Sequence, residues 1–180
     1  MDGAVPAVLG RQLHAPRRAP ASHPASGERV MSDATTELVL TRIFDAPREL
    51  VYRAFTDPDQ LAAWFGPVGW SVPRDSVDIE AKVGGHQRFT MVNDEDPAQS
   101  SPVDVTFVEV VENELLVGQE NASEIPEFAG SVMRMRLEFH DEPGGRTRLV
   151  LTQGPYTEDF VEMAREGWGS SFTKLDRTLG

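Results

Sequence analysis

Not one cysteine occurs in these 180 residues, so disulfides and thiolate metal sites are excluded and a reducing cytoplasm is the expected setting. No apolar run approaches the roughly 18 residues that a membrane-spanning helix needs. Basic residues are scarce: 17 Lys and Arg stand against 29 Asp and Glu, a formal charge of −12. Nucleic-acid binding rests on Lys and Arg, so that balance argues against it, and the acidity is read as solubility. Nucleophilic catalysis has no visible basis, for there is neither a thiol nor a Gly-x-Ser-x-Gly elbow. A phosphate loop is missing too, because Gly84-Gly85 leads into a strand pattern rather than a helix with a Lys. Beyond residue 30 the histidines are His86 and His140, and neither has a neighbour at metal-ligand spacing. No metal or cofactor is therefore expected.

Residues 1–30 lack aromatics and are rich in Ala and Pro. Such a stretch cannot build a core and is expected to be disordered. Met31-Ser32-Asp33-Ala34 reads as an ordinary protein start, so the extension is expected to lie upstream of the working start, with a plain tail or a targeting peptide as alternatives. Residues 31–180 are expected to form one domain.

What is present in that domain centres on its end. Phe160, Met163, Ala164, Gly167, Trp168, Ser171, Phe172, Leu175 and Leu179 recur at steps of three and four, which predicts one long helix from Thr157 to Leu179 with Thr157 as N-cap. Ahead of it, Glu37 to Phe44 predicts a strand. Pro47 opens a helix at its first position, with Leu50, Val51, Ala54 and Phe55 as the buried face. Asp57-Pro58-Asp59-Gln60 predicts a second short helix, N-capped by Asp57 with Gln60 in capping-box position, and Gly66-Pro67 stops it.

From Ser71 the apolar period becomes two. Val77, Ile79 and Ala81 form one alternating set; Gln87, Phe89 and Met91 form the next, across a Gly84-Gly85 turn. Val103, Val105 and Phe107 follow, and the pattern blurs over 108–111, as at a bulge. Leu115 to Gln119 is a shorter strand, and Ala122 to Gly130 reads as irregular. Met133, Met135, Leu137 and Phe139, then Thr147, Leu149 and Leu151, alternate cleanly. Strands joined by short turns predict an antiparallel sheet. One strand before the helices and about six after them make a sheet that will curl, and a concave sheet closed over one helix leaves space between them. The expected class is α+β with an internal cavity.

A run of residues then resembles a known family. Thr41-Arg42-Ile43-Phe44-Asp45-Ala46-Pro47-Arg48-Glu49-Leu50-Val51-Tyr52-Arg53-Ala54-Phe55-Thr56-Asp57-Pro58 is similar to the opening of the activator of heat-shock-protein-90 ATPase homologue-like family, within the START-like (SRPBCC) superfamily. The resemblance continues through Leu61, Trp64-Phe65-Gly66-Pro67, Val83-Gly84-Gly85, Gly144-Gly145-Arg146-Thr147-Arg148-Leu149 and Gly167-Trp168, and covers about 37–179. It implies the helix-grip fold: a curved antiparallel sheet wrapped around a long C-terminal helix, with two short helices after the first strand. It also implies an apolar cavity of the kind that holds lipids, sterols or polyketides. A chaperone-associated interaction module and a cyclase- or aromatase-like enzyme are the alternatives.

The candidate cavity lining is Trp64, Phe65, Trp70, Phe89, Met91, Phe107, Met133, Met135, Phe160, Met163 and Trp168, with a solid core as the competing reading of the same side chains. The expected partner is a small hydrophobic molecule, with a chaperone or other protein as the alternative. Glu109, Glu112, Glu114, Glu120, Glu124 and Glu127 read as a solvated acidic face, or as a docking surface for a basic partner. No acid–base pair stands on the expected inward faces. Arg42 is expected to tie the first strand to a carboxylate, and Arg88 to face outward.

Overall fold

The structure is a computed structural model and describes residues 36–121 and 131–180. The expectations for 1–30 and for 122–130, with Glu124 and Glu127, lie outside the described residues. Element order is β1 (Thr36–Phe44), α1 (Arg48–Thr56), α2 (Pro58–Trp64), β2 (Trp70–Ser71), a 3₁₀ turn (Arg74–Ser76), β3 (Asp78–Ile79), β4 (His86–Asn93), β5 (Ser100–Val111), β6 (Leu115–Asn121), β7 (Val132–Glu142), β8 (Arg146–Tyr156) and α3 (Glu158–Leu179).

One antiparallel sheet of eight strands runs β1-β8-β7-β6-β5-β4-β2, with β3 also paired to β4. The short hairpins predicted from sequence place β4 to β8 in sequential order, and β1 returns to the edge beside β8. One strand more than the seven expected arises because the segment 70–79 pairs in two-residue pieces around the 3₁₀ turn instead of as one alternating strand. The expected irregularity near Val108 is a register shift between Phe107 and Glu109. Asn113 turns the chain at φ 62° before β6.

The inward face reads every second residue. Gln87, Phe89 and Met91 on β4 stand beside Val105, Val103 and Ser101 on β5. Phe107 pairs with Gly118, Gly118 with Met135, and Met135 with Gln153, making one row across four strands. Over this face lies α3. Its Trp168, Phe172 and Leu175 are buried, and Phe172 meets Phe44 edge-on with ring centroids 5.5 Å apart. Each such large apolar side chain gains about 1.5–3 kcal/mol from burial. The Arg42 guanidinium pairs with Asp176 on the last turn of α3, as its place in β1 leads one to expect.

The two short helices meet at a junction where backbone accounting explains three side chains. Pro58 has no amide hydrogen, so the Ala54 carbonyl four residues earlier lacks its usual helical donor. The buried Trp64 indole supplies it, Nε1 lying 2.8 Å from the Ala54 oxygen. The Phe55 carbonyl accepts from Gln87 Nε2 at 2.8 Å. Asp57 ends α1 by donating its amide to the Arg53 carbonyl, and starts α2 by accepting from the amides of Asp59 and Gln60 at 2.9 and 3.1 Å. The reciprocal half of the expected capping box is thus replaced by the C-cap of α1.

Three local expectations change. Pro47 is the N-cap of α1 rather than its first helical residue. Leu50 is exposed and Tyr52 takes its place on the buried face, because Tyr52 stacks edge-on against Phe139 of β7. Thr157 occupies the N-cap of α3 but makes no side-chain capping bond; its carbonyl accepts from Phe160 and Val161.

Candidate functional site

Between the inward face and α3 lies a cavity of about 340 Å³, counting the part open to solvent. Only about 20 Å³ of it admits the centre of a water molecule. That is room for one water before any side chain moves. Phe65, Phe89, Val103, Val105, Met133, Met135 and Trp168 supply the apolar wall. Gln87, Glu120 and Gln153 supply the polar part, with Gly118 on the floor.

Of the eleven residues expected to line a cavity, five do: Phe65, Phe89, Met133, Met135 and Trp168. They meet because α2 ends at Trp64 and turns Phe65 under α3, where its ring lies 4.7 Å from Phe89 and 5.7 Å from Trp168. The other six are not among the described lining residues of this cavity. Trp64 is fully buried and serves the α1–α2 junction, wedged between Phe55 and Phe65. Met91 is fully buried beneath Gly66, where an added Cβ would sit 3.4 Å from its sulfur. Trp70 and Phe107 are buried in the continuous core. Phe160 and Met163 lie half-buried on the first turns of α3.

The polar residues are the ones that the choice of apolar side chains missed. For two of them the signal was available in the alternation: Gln87 shares parity with Phe89 and Met91, and Gln153 with Leu149 and Leu151, whereas Leu115, Leu116 and Val117 are apolar in a row and leave the side of Glu120 unread. The structure removes Glu120 from the solvated acidic face and places it in the cavity wall, half-buried, whereas Glu109 and Glu112 stay exposed. Gly118 makes room on that wall, since a Cβ there would come within 2.4 Å of the Val105 Cγ1.

Gln153 is the hub. Its Oε1 accepts from Trp168 Nε1 and from the Tyr156 hydroxyl, both at 2.8 Å. Burial pushes the Tyr156 phenol well above its ordinary pKa, and the charge of Glu120 adds to the effect. Above the cavity, the Lys174 ammonium donates to the Trp70 carbonyl at 2.8 Å, and Ser170 Oγ accepts from the Val68 amide at 2.9 Å. These bonds fasten the 65–70 segment, and so Phe65, to α3. Burial pulls Lys174 below the usual lysine range, with Asp94 opposing the shift.

Elsewhere, His86 pairs with Asp78 at 2.8 Å, and His140 borders a surface groove of mixed polarity with Arg48, Glu114, Arg136, Glu138, Val111, Leu115 and Phe139. Arg88 is exposed and pairs with Asp104 at 3.1 Å, as its parity predicts. Among the described residues, no three His, Asp or Glu side chains converge as metal ligands, and no helix is long and apolar enough to cross a membrane.

The family model for Activator of Hsp90 ATPase homolog 1-like protein matches residues 45–180. No curated protein matches the chain. Among solved structures, a Nitrosomonas europaea protein is similar at 26% identity and a TM-score of 0.65, over 79% of this chain and 93% of that one. The AHSA1 protein of Silicibacter pomeroyi is similar at 27% identity and a TM-score of 0.63, over 80% and 97%. A Chromobacterium violaceum protein at 23% identity and a TM-score of 0.68, over 79% and 96%, shares the fold.

Proposed function

The chain belongs to the Activator of Hsp90 ATPase homolog 1-like family, and we propose that it binds a small hydrophobic molecule in the cavity between its sheet and α3, without transforming it. The observation that carries this reading is the lining itself. An apolar wall from three strands, α3 and the α2 exit converges on three polar side chains, the composition of a ligand site rather than of a plain core. Two methionines in that wall suit an occupant that must part the side chains to enter, because the unbranched thioether re-packs at little expense. A single ionisable side chain, Glu120, stands among the described lining residues, and acid–base chemistry of the cyclase kind asks for two.

A thermal-shift screen of lipids, aromatic polyketides and small aromatic ketones against the full chain tests the reading. A ligand held at about 100 times its Kd adds about 2.7 kcal/mol to the folded state and raises Tm. A broad library without one stabilising compound would sink it. The second reading, a docking module for a basic chaperone surface, draws on the exposed Glu109 and Glu112 at the β5–β6 hairpin. It predicts an association that weakens as salt is raised.

A further inference from the structure

The cavity wall holds a hydrogen-bonding group whose partner is not among the described residues. Gln153 is 0% exposed. Its orientation is fixed, because an indole N–H can only donate, so the amide atom 2.8 Å from Trp168 Nε1 has to be the oxygen. The Tyr156 hydroxyl donates to the same oxygen. Turning the amide over would set N–H against N–H. Gln153 Nε2 is therefore left with its two hydrogens and no acceptor among the described residues. A buried donor left unpaired is destabilising, and the residue that carries this one is among those that line the cavity.

The neighbouring polar groups narrow what the acceptor is. Gln87 Nε2 is committed to the Phe55 carbonyl. No Lys or Arg stands among the described lining residues, and the carboxyl group of Glu120 belongs to the same wall. A carboxylate ligand would bring a second negative charge to that wall, in surroundings of low dielectric. Resting on the ligand-binding reading, we infer that the cavity takes an uncharged molecule whose carbonyl-type oxygen accepts from Gln153 Nε2, with its apolar remainder against Phe65, Phe89, Met133 and Met135. Trp168 and Tyr156 then act as positioning residues, holding the amide so that its donors face the ligand.

Three matched probes test this on the full chain: acetophenone, ethylbenzene and benzoate, titrated by tryptophan fluorescence and by nitrogen–proton correlation spectra. Acetophenone is expected to bind about tenfold more tightly than ethylbenzene, the worth of one hydrogen bond to an otherwise unpaired donor. Benzoate is expected to bind most weakly. The side-chain amide resonance of Gln153 moves with acetophenone and stays with ethylbenzene. Gln153→Leu erases the preference for the ketone; should that variant fail to fold, the wild-type ratio and the amide resonance decide. Equal binding of ketone and hydrocarbon with an unmoved amide resonance overturns the inference and leaves the ligand-binding reading standing. Benzoate binding more tightly than acetophenone overturns it as well. Binding of none of the three also overturns it, the amide then serving a buried water; the broad library judges the wider reading separately.

Discussion

Replacing Trp64 with Phe should destabilise the fold through one carbonyl. The indole is fully buried, and its Nε1 donates to the Ala54 oxygen at 2.8 Å. That oxygen has no helical donor because position 58 is proline. The phenyl ring of Trp64→Phe would keep an aromatic surface near Phe55 and Phe65 but leave the buried carbonyl unpaired, which costs about 1–3 kcal/mol. The smaller ring also leaves a void worth about 1 kcal/mol. The expected loss is about 2–4 kcal/mol, at roughly 2–4 °C of Tm per kcal/mol for a chain of this size. Urea unfolding followed by circular dichroism measures it, with an unchanged m-value showing that the denatured state is not the source. Gln87→Leu is the companion experiment, since Gln87 Nε2 serves the Phe55 carbonyl in the same junction. A loss below about 1 kcal/mol for Trp64→Phe would refute the carbonyl accounting, and Trp64 would return to the pool of interchangeable apolar side chains.

Both tyrosines of the chain, Tyr52 and Tyr156, have their pKa raised, chiefly by burial. Native protein should therefore show little tyrosinate absorbance near pH 10, and ionisation should appear together with unfolding. A phenol whose folded pKa is raised contributes stability below its unfolded value of about 10, and that contribution falls away as pH climbs further. Lys174, with its folded pKa lowered, acts with the opposite sign: stability rises with pH between its folded value and the ordinary lysine range of about 10.4. Tyr156→Phe should flatten the alkaline decline, and a decline of unchanged slope would count against the phenol. Gly85→Ala should destabilise far more than Gly84→Ala. A Cβ at Gly85 would fall 2.0 Å from the Glu80 carbonyl oxygen, whereas Gly84 has open space and only its φ of +79° to lose, worth about 1 kcal/mol. Equal Tm values for the two variants would contradict that geometry. Asp176→Asn removes the partner of Arg42, yet both side chains are more than a third exposed, so the loss should stay within about 1 kcal/mol in a denaturation series.

The chain order of helices and strands was legible because each element is written in its own period. Steps of three and four mark α3, steps of two mark β4, β5, β7 and β8, and Asp57-Pro58 marks the break between α1 and α2. The inward faces of β4, β5, β7 and β8 could be read the same way, Gln87 and Gln153 included, whereas β6 carries Leu115, Leu116 and Val117 in a row and hides the side of Glu120. What parity cannot assign is depth. Phe89 and Met91 are two residues apart on one strand and face one way, yet Phe89 borders the cavity and Met91 is sealed beneath Gly66.

Local sequence, then, determined the elements, their order and the two sides of the sheet, because those follow from dihedral preference and from which side chains avoid water. Tertiary structure alone decided the fates of individual side chains. Trp64 became the donor to an orphaned carbonyl, Gln153 the acceptor for an indole and a phenol, and Glu120 part of an interior wall. Each of those outcomes depends on atoms that come together only when α3 settles into the curve of the sheet, and a hydrogen bond is made or lost over a few tenths of an ångström that no linear spacing specifies.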